Sequence, residues 1–166
     1  MKYHESMKKL LTKFIPISSA DAHCDIPCGI YDPTPAKIAA RTVQRMVLQL
    51  EELALPPDGS KETLLVYYNS VSRRIKVKEE HAELCKRELA ILWSDFFKPE
   101  HLEKVPNLHD MFWKSLKLCS KNKQEVNKAA ADQLVAAVDE IAKTFYGTKN
   151  APDKYDAYKK ITDTLF

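Results

Sequence analysis

"TPAKIAARTVQRMVLQLEELALPPDGS", residues 34 to 60, decides the fold. Thr34 followed by Pro35 is a strong helix start, because a hydroxyl can cap free amides and proline suits the first helical position. Ile38, Val43, Met46, Val47, Leu50 and Leu53 then recur on one face, the spacing of an amphipathic helix. Pro56, Pro57, Asp58 and Gly59 stop that helix, and Ser60 opens the next.

The same period continues outward. Leu64, Tyr68, Val71, Ile75, Ala82, Cys85, Leu89, Leu92 and Phe96 follow steps of three and four with one step missing at Lys78. This predicts a long second helix, bent near Lys76 to Lys78 and ending before Pro99. Beyond the turn "PEHLEKVPN", Leu108, Phe112, Leu116 and Cys119 mark a third helix. Val126, Ala130, Leu134, Ala137, Val138, Ile141 and Phe145 mark a fourth, ended by Gly147. The tail from Pro152, with Tyr155, Tyr158, Ile161 and Leu165, adds a short docked helix. Four one-sided helices with short connections pack as an antiparallel bundle, so the expected fold class is all-α.

Composition agrees. A chain of 166 residues has the length of one domain, and only three of them are glycine, which disfavours a Gly-rich barrel or sandwich. The net charge of +3 is uneven: residues 1 to 22 hold four lysines against Glu5 and Asp21, and the body is nearly neutral. Lysines that alternate with acids make solvated helix faces and not the dense basic face of a nucleic-acid binder. No apolar run reaches the roughly 20 residues of a membrane span. Neither nucleic acid nor membrane is an expected partner.

The chemistry lies ahead of the first helix, in "AHCDIPCGIYDP", residues 22 to 33. Of the four cysteines, Cys85 and Cys119 fall on apolar helical positions and read as core thiols. Cys24 and Cys28 stand three residues apart, not the two of a redox dithiol or a zinc knuckle. The preceding "MKKLLTKFIPISSADA", residues 7 to 22, has a basic start, a short apolar stretch and small residues at Ala20 and Ala22. It reads as a removable leader. Removal between Ala22 and His23 gives His23 a free α-amine beside its imidazole. Amine nitrogen, the Cys24 peptide nitrogen and the thiolates of Cys24 and Cys28 can then lie in one plane around an ion, with the imidazole axial. Planar N,S ligation favours Ni(II) or Cu(II) over zinc. Strong thiolate and amide donors also stabilise a higher oxidation state and so permit one-electron cycling of nickel.

"HCDIPCGIYDP" closely resembles the nickel-binding hook of nickel-containing superoxide dismutases, and "LWSDFFKPEHLEKVPNLHD", residues 92 to 110, resembles a second signature of that family. The resemblance runs from about His23 to Phe145. It implies superoxide as substrate, one nickel ion per subunit, a precursor cut by a peptidase at Ala22-His23, and a homohexamer of four-helix bundles. It further implies His23, Cys24 and Cys28 as metal ligands, Tyr31 beside the open face of the metal, Asp25 holding the hook folded and a cis bond at Ile26-Pro27. Gly29 relieves crowding beside Cys28. The expected organisation is a leader at 1–22, a hook at 23–33 and a helical domain with a C-terminal extension at 34–166. A cytoplasmic location is expected, with export by the leader as the alternative.

Three positions depart from the family pattern. Ala39 stands where a glutamate is common, His81 where an arginine is, and Phe96 where tyrosine is frequent. The first two positions hold the axial imidazole in the family. His81 is either a contact of His23 or a polar residue on the outer side of the second helix. Such losses tune a metal site by factors of roughly 10 to 100 and bear on rate more than on identity. The rival reading is a non-enzymatic nickel or copper carrier with the same hook.

Overall fold

The computed structural model describes residues 29–166. The order is α1 (Thr34–Glu51), α2 (Lys61–Ile91), a π-helical turn (Leu92–Phe96), a 3-10 turn (Pro99–Glu103), α3 (Leu108–Gln124), α4 (Lys128–Thr148) and α5 (Pro152–Thr162). Each of α1 to α4 packs on the next and α4 closes back on α1, giving the expected four-helix bundle. The short tail helix docks on α4 and α1. The hook residues His23, Cys24, Asp25 and Cys28, with the Ile26-Pro27 bond, lie outside the described residues.

The core is fine-grained. Ala36, Ala39, Ala40, Val43 and Val47 of α1 meet Ala82, Cys85 and Leu89 of α2, and Leu134, Val138, Ile141 and Phe145 complete it from α4. Small α1 side chains allow close helix approach. Ile38, expected inside, is 46% exposed, because its five-residue step to Val43 turns it about 140° from the buried face. Cys85 and Cys119 are fully buried, as expected of core thiols.

The missing step at Lys78 has a different meaning from a bend. Helix α2 runs unbroken for 31 residues, and Lys78 is buried. Its ammonium donates to the carbonyls of Asn122, Lys123 and Glu125. Those are acceptors at the C-terminal end of α3, where no further turn can use them. A cation there also opposes the negative end of the helix dipole.

Arg74 Nε donates to Gln49 Oε1 at 3.2 Å, near the end of α1, so the first turns of α2 extend past α1. That projecting stretch carries Leu65, Val66 and Tyr68 at 60, 71 and 59% exposure. At the other end of the bundle, α4 continues through Gly147 to Thr148. The left-handed residue that ends the segment is Asn150, with φ 51°, a conformation that asparagine tolerates better than most residues.

Candidate metal centre

The first described residues form the stalk that joins the hook to the bundle. Gly29 has φ +70°, a left-handed conformation that costs an L-residue about 1–2 kcal/mol. A Cβ there would meet nothing within 4 Å. The left-handed φ is itself a backbone requirement for glycine; the crowding expected beside Cys28 involves a residue outside the described ones. Ile30 is 76% exposed, Tyr31 is half-buried and Pro33 is buried.

Asp32 fixes this stalk at two points. Its Oδ1 accepts from the Thr34 amide at 2.7 Å, so the first free amide of α1 is satisfied by Asp32, while Pro33 is the N-cap residue and Thr34, expected to cap the helix, already belongs to the first turn. Its Oδ2 accepts from the Tyr146 hydroxyl of α4 at 3.1 Å. Burial, followed by the nearby Asp32 charge, pushes the Tyr146 phenol up to about 12. The hydroxyl therefore stays protonated and continues to donate at neutral pH. Sequence reading quoted Asp32 within the motif and missed this role. The partner lies 114 positions away, and no local pattern announces it.

Tyr31 packs its ring on Phe96, with centroids 5.8 Å apart. Phe96 is placed by the π-helical turn, where the extra residue per turn sends Phe96 and Phe97 in different inward directions. Phe96 meets Phe145 at 4.4 Å and stacks on His101 at 5.8 Å, whereas Phe97 meets Phe112 at 5.4 Å. Lys149 Nζ sits 4.6 Å from the Phe145 ring centroid and 5.5 Å from that of Phe96. Tyr31, Phe96, His101 and Lys149, with Gly29 and Asp95, line a cleft of about 370 Å³. His101, quoted within the second signature, was not singled out by sequence reasoning.

The described histidines each use Nδ1 in a local hydrogen bond. His81 Nδ1 donates to the Val77 carbonyl at 2.9 Å. His109 Nδ1 accepts from Trp93 Nε1 at 2.9 Å, and His101 Nδ1 accepts from the Lys98 amide at 3.0 Å. Hydrogen bonding to Cys119 and burial together raise the Cys85 thiol well above its ordinary range, so it is not a ready thiolate ligand. Ala39 is fully buried in the core. Among the described residues no group of three or more His, Cys, Asp or Glu is arranged to hold a metal ion. The donors expected from sequence, His23, Cys24 and Cys28, lie outside the described residues, and the chain sets an upper limit on their distance from Gly29. His23 is six residues before Gly29, which limits it to about 20 Å.

A helical bundle whose aromatic, lysine-bearing cleft adjoins the start of the described chain, just after the Cys24 and Cys28 positions in sequence, fits the class of helical metalloproteins expected from the motif. Comparison with known proteins makes this specific. The family model for nickel-containing superoxide dismutase matches residues 18–149. The superoxide dismutase [Ni] of Streptomyces coelicolor is 37% identical over 138 residues, covering 83% of this chain and 96% of that protein. That of Streptomyces seoulensis is 36% identical over the same coverage. A native nickel superoxide dismutase structure at 1.30 Å aligns with TM-score 0.67 and 35% identity, over 78% of this chain and 100% of its own. One whose nickel ligation corresponds to the oxidised state aligns with TM-score 0.64 and 33% identity over the same shares. The chain belongs to the nickel-containing superoxide dismutase family.

Proposed function

We propose that this protein disproportionates superoxide, converting two superoxide ions and two protons to dioxygen and hydrogen peroxide. The observation that carries this reading is the family match spanning the His23–Pro33 motif, whose Tyr31 is seated in the cleft. Nickel, when bound, supplies one-electron cycling between Ni(II) and Ni(III), which lets one superoxide be oxidised and the next reduced. His23 would hold it through its amine and imidazole, Cys24 through its peptide nitrogen and thiolate, and Cys28 through its thiolate, one ion per subunit. Asp25 would keep the hook folded.

Tyr31 would orient the incoming anion, its ring held against Phe96. Lys149 contributes positive potential at the cleft, which attracts an anion over a Debye length of roughly 8–10 Å at moderate ionic strength. Phe96, backed by the buried Phe145, gives the cleft an apolar inner wall.

Processing between Ala22 and His23 by a peptidase belongs to this reading, because an uncut bond leaves a poor amide donor where an amine is needed. The exposed apolar residues Leu65, Val66 and Tyr68 on the projecting end of α2 support self-association, and a homohexamer is the proposed state. The proposed organisation remains a leader at 1–22, a hook at 23–33 and the helical domain from 34, in a cytoplasmic protein.

Cys24→Ser and Cys28→Ser test the assignment. Each is expected to abolish nickel-dependent superoxide decay while circular dichroism stays unchanged, since the core comes from residues beyond the hook. Full activity in either variant would remove that residue from the ligand set.

A further inference from the structure

The family match ends at residue 149, and α5 follows it. This helix is firmly docked. Tyr158 is 4% exposed and donates its hydroxyl to Asp139 at 3.2 Å. Lys159 donates to the other Asp139 oxygen at 2.8 Å, and the fully buried Lys37 of α1 reaches Asp139 at 2.6 Å. The docking also reaches the stalk. The Tyr146 ring lies against Tyr155 and Tyr158 with centroids 6.4 and 5.9 Å away. Its hydroxyl holds Asp32.

We infer that α5 is a positioning clamp for the hook: through Tyr155 and Tyr158 it fixes the Tyr146 side chain, and Tyr146 in turn pins Asp32 and the stalk that carries the metal-binding segment. The inference deepens the proposed function and rests on residues 23–28 being the metal site. The physical reason is lever-like. The stalk leaves the bundle at Pro33; Gly29 and Ile30 are exposed, while Tyr31 packs on Phe96 and Asp32 is held by Tyr146. A tyrosine free to change rotamer would hold Asp32 only part of the time. One packed against the stacked pair Tyr155 and Tyr158, whose centroids are 6.0 Å apart, has fewer rotamers open to it and holds Asp32 for more of the time.

The test is local opening of the stalk, read as the rate of chymotryptic cleavage at Tyr31-Asp32 in the metal-free full chain, with fragments quantified by mass spectrometry. Tyr146→Phe, which keeps the ring and removes the hydroxyl, should raise that rate about tenfold, in line with loss of a hydrogen bond to a charged group. Asp32→Ala should match it. Asp32→Asn, which retains an acceptor for Thr34 and a polar group for Tyr146, should stay within about threefold of the native rate. The pair Tyr155→Ser with Tyr158→Ser should raise cleavage at least as much as Tyr146→Phe, and nickel-loaded Tyr146→Phe should show a broadened Ni(III) paramagnetic resonance signal. Unchanged cleavage in Tyr146→Phe would overturn the clamp, whether or not the Tyr155/Tyr158 variant folds. So would equal acceleration in Asp32→Asn and Asp32→Ala. Because cleavage is read without metal, its failure is distinct from absence of nickel-dependent activity in the native chain, which would overturn the functional reading instead.

Discussion

Replacing Lys78 by methionine removes an ammonium and keeps most of the stem. Lys78 is 2% exposed and donates to three carbonyls at the end of α3, those to Lys123 and Glu125 measuring 3.0 and 2.9 Å. Hydrogen bonds from a charged donor contribute about 1.5–3 kcal/mol each, but they do not add. The native ammonium also bears a desolvation cost that methionine escapes, and water can reach two of the three carbonyls. The bond to Asn122 is the fully buried one, and its orphaned acceptor sets the loss at about 2–3 kcal/mol. For a chain of this size each kcal/mol corresponds to about 2–4 °C in Tm, so Lys78→Met should melt roughly 5–10 °C lower by circular dichroism. Lys78→Ala, which also empties the space of the stem, should melt lower still. Lys114→Met, which breaks an exposed ion pair with Asp110, is the control and should stay within about 0.5 kcal/mol. If Lys78→Met were as stable as the native protein, desolvation would outweigh the three bonds and the capping argument would be wrong.

Gly29→Ala forces a left-handed conformation on a residue that resists it by about 1–2 kcal/mol. Nickel affinity measured by competition with a chelator should fall about tenfold while Tm is unchanged, since Gly29 makes no core contact. Lys149→Gln should slow superoxide decay at low salt by roughly twofold to fivefold and lose that effect near 1 M salt, where screening removes steering; a salt-independent defect would point to a different role. The Tyr146 phenol is raised to about 12 in the folded chain against an ordinary 10. Its contribution is therefore complete below pH 10 and is lost as pH rises from 10 to 12, where the unfolded chain has released the proton first. Urea unfolding across that window should show a steeper loss of stability in the native protein than in Tyr146→Phe.

The helices and their order were legible because their apolar faces repeat every three to four residues over many turns. What period alone misjudges is rotation and exception. Ile38 stands five residues before Val43, about 140° around an α-helix, so it faces away from the stripe of Ala36, Ala39, Ala40, Val43 and Val47 that is buried. Lys78 read as a defect because a lysine breaks hydrophobic periodicity, and only the fold reveals that α3 ends beside it. The donor set was legible for a different reason: His23, Cys24 and Cys28 are consecutive or nearly so, and ligand chemistry restricts which ions such a set prefers. The walls of the cleft were not. Phe96 and Lys149 line it from distant segments, placed by a π-helical turn and the end of α4, and Tyr146 holds the adjoining stalk through a long-range hydrogen bond; none of these leaves a periodic trace.

The central claim is that this chain turns over superoxide through nickel held by its own processed N-terminus. Stopped-flow decay of superoxide should be measured on protein beginning at His23 and on protein retaining Ala22, each exposed to one equivalent of nickel and then stripped of loose metal. The account predicts catalytic decay from the His23 form, silent when nickel is withheld, and at most a small fraction of that rate when Ala22 remains. Equal rates from the two forms, or a nickel-loaded His23 form that leaves superoxide to its spontaneous decay, would contradict it.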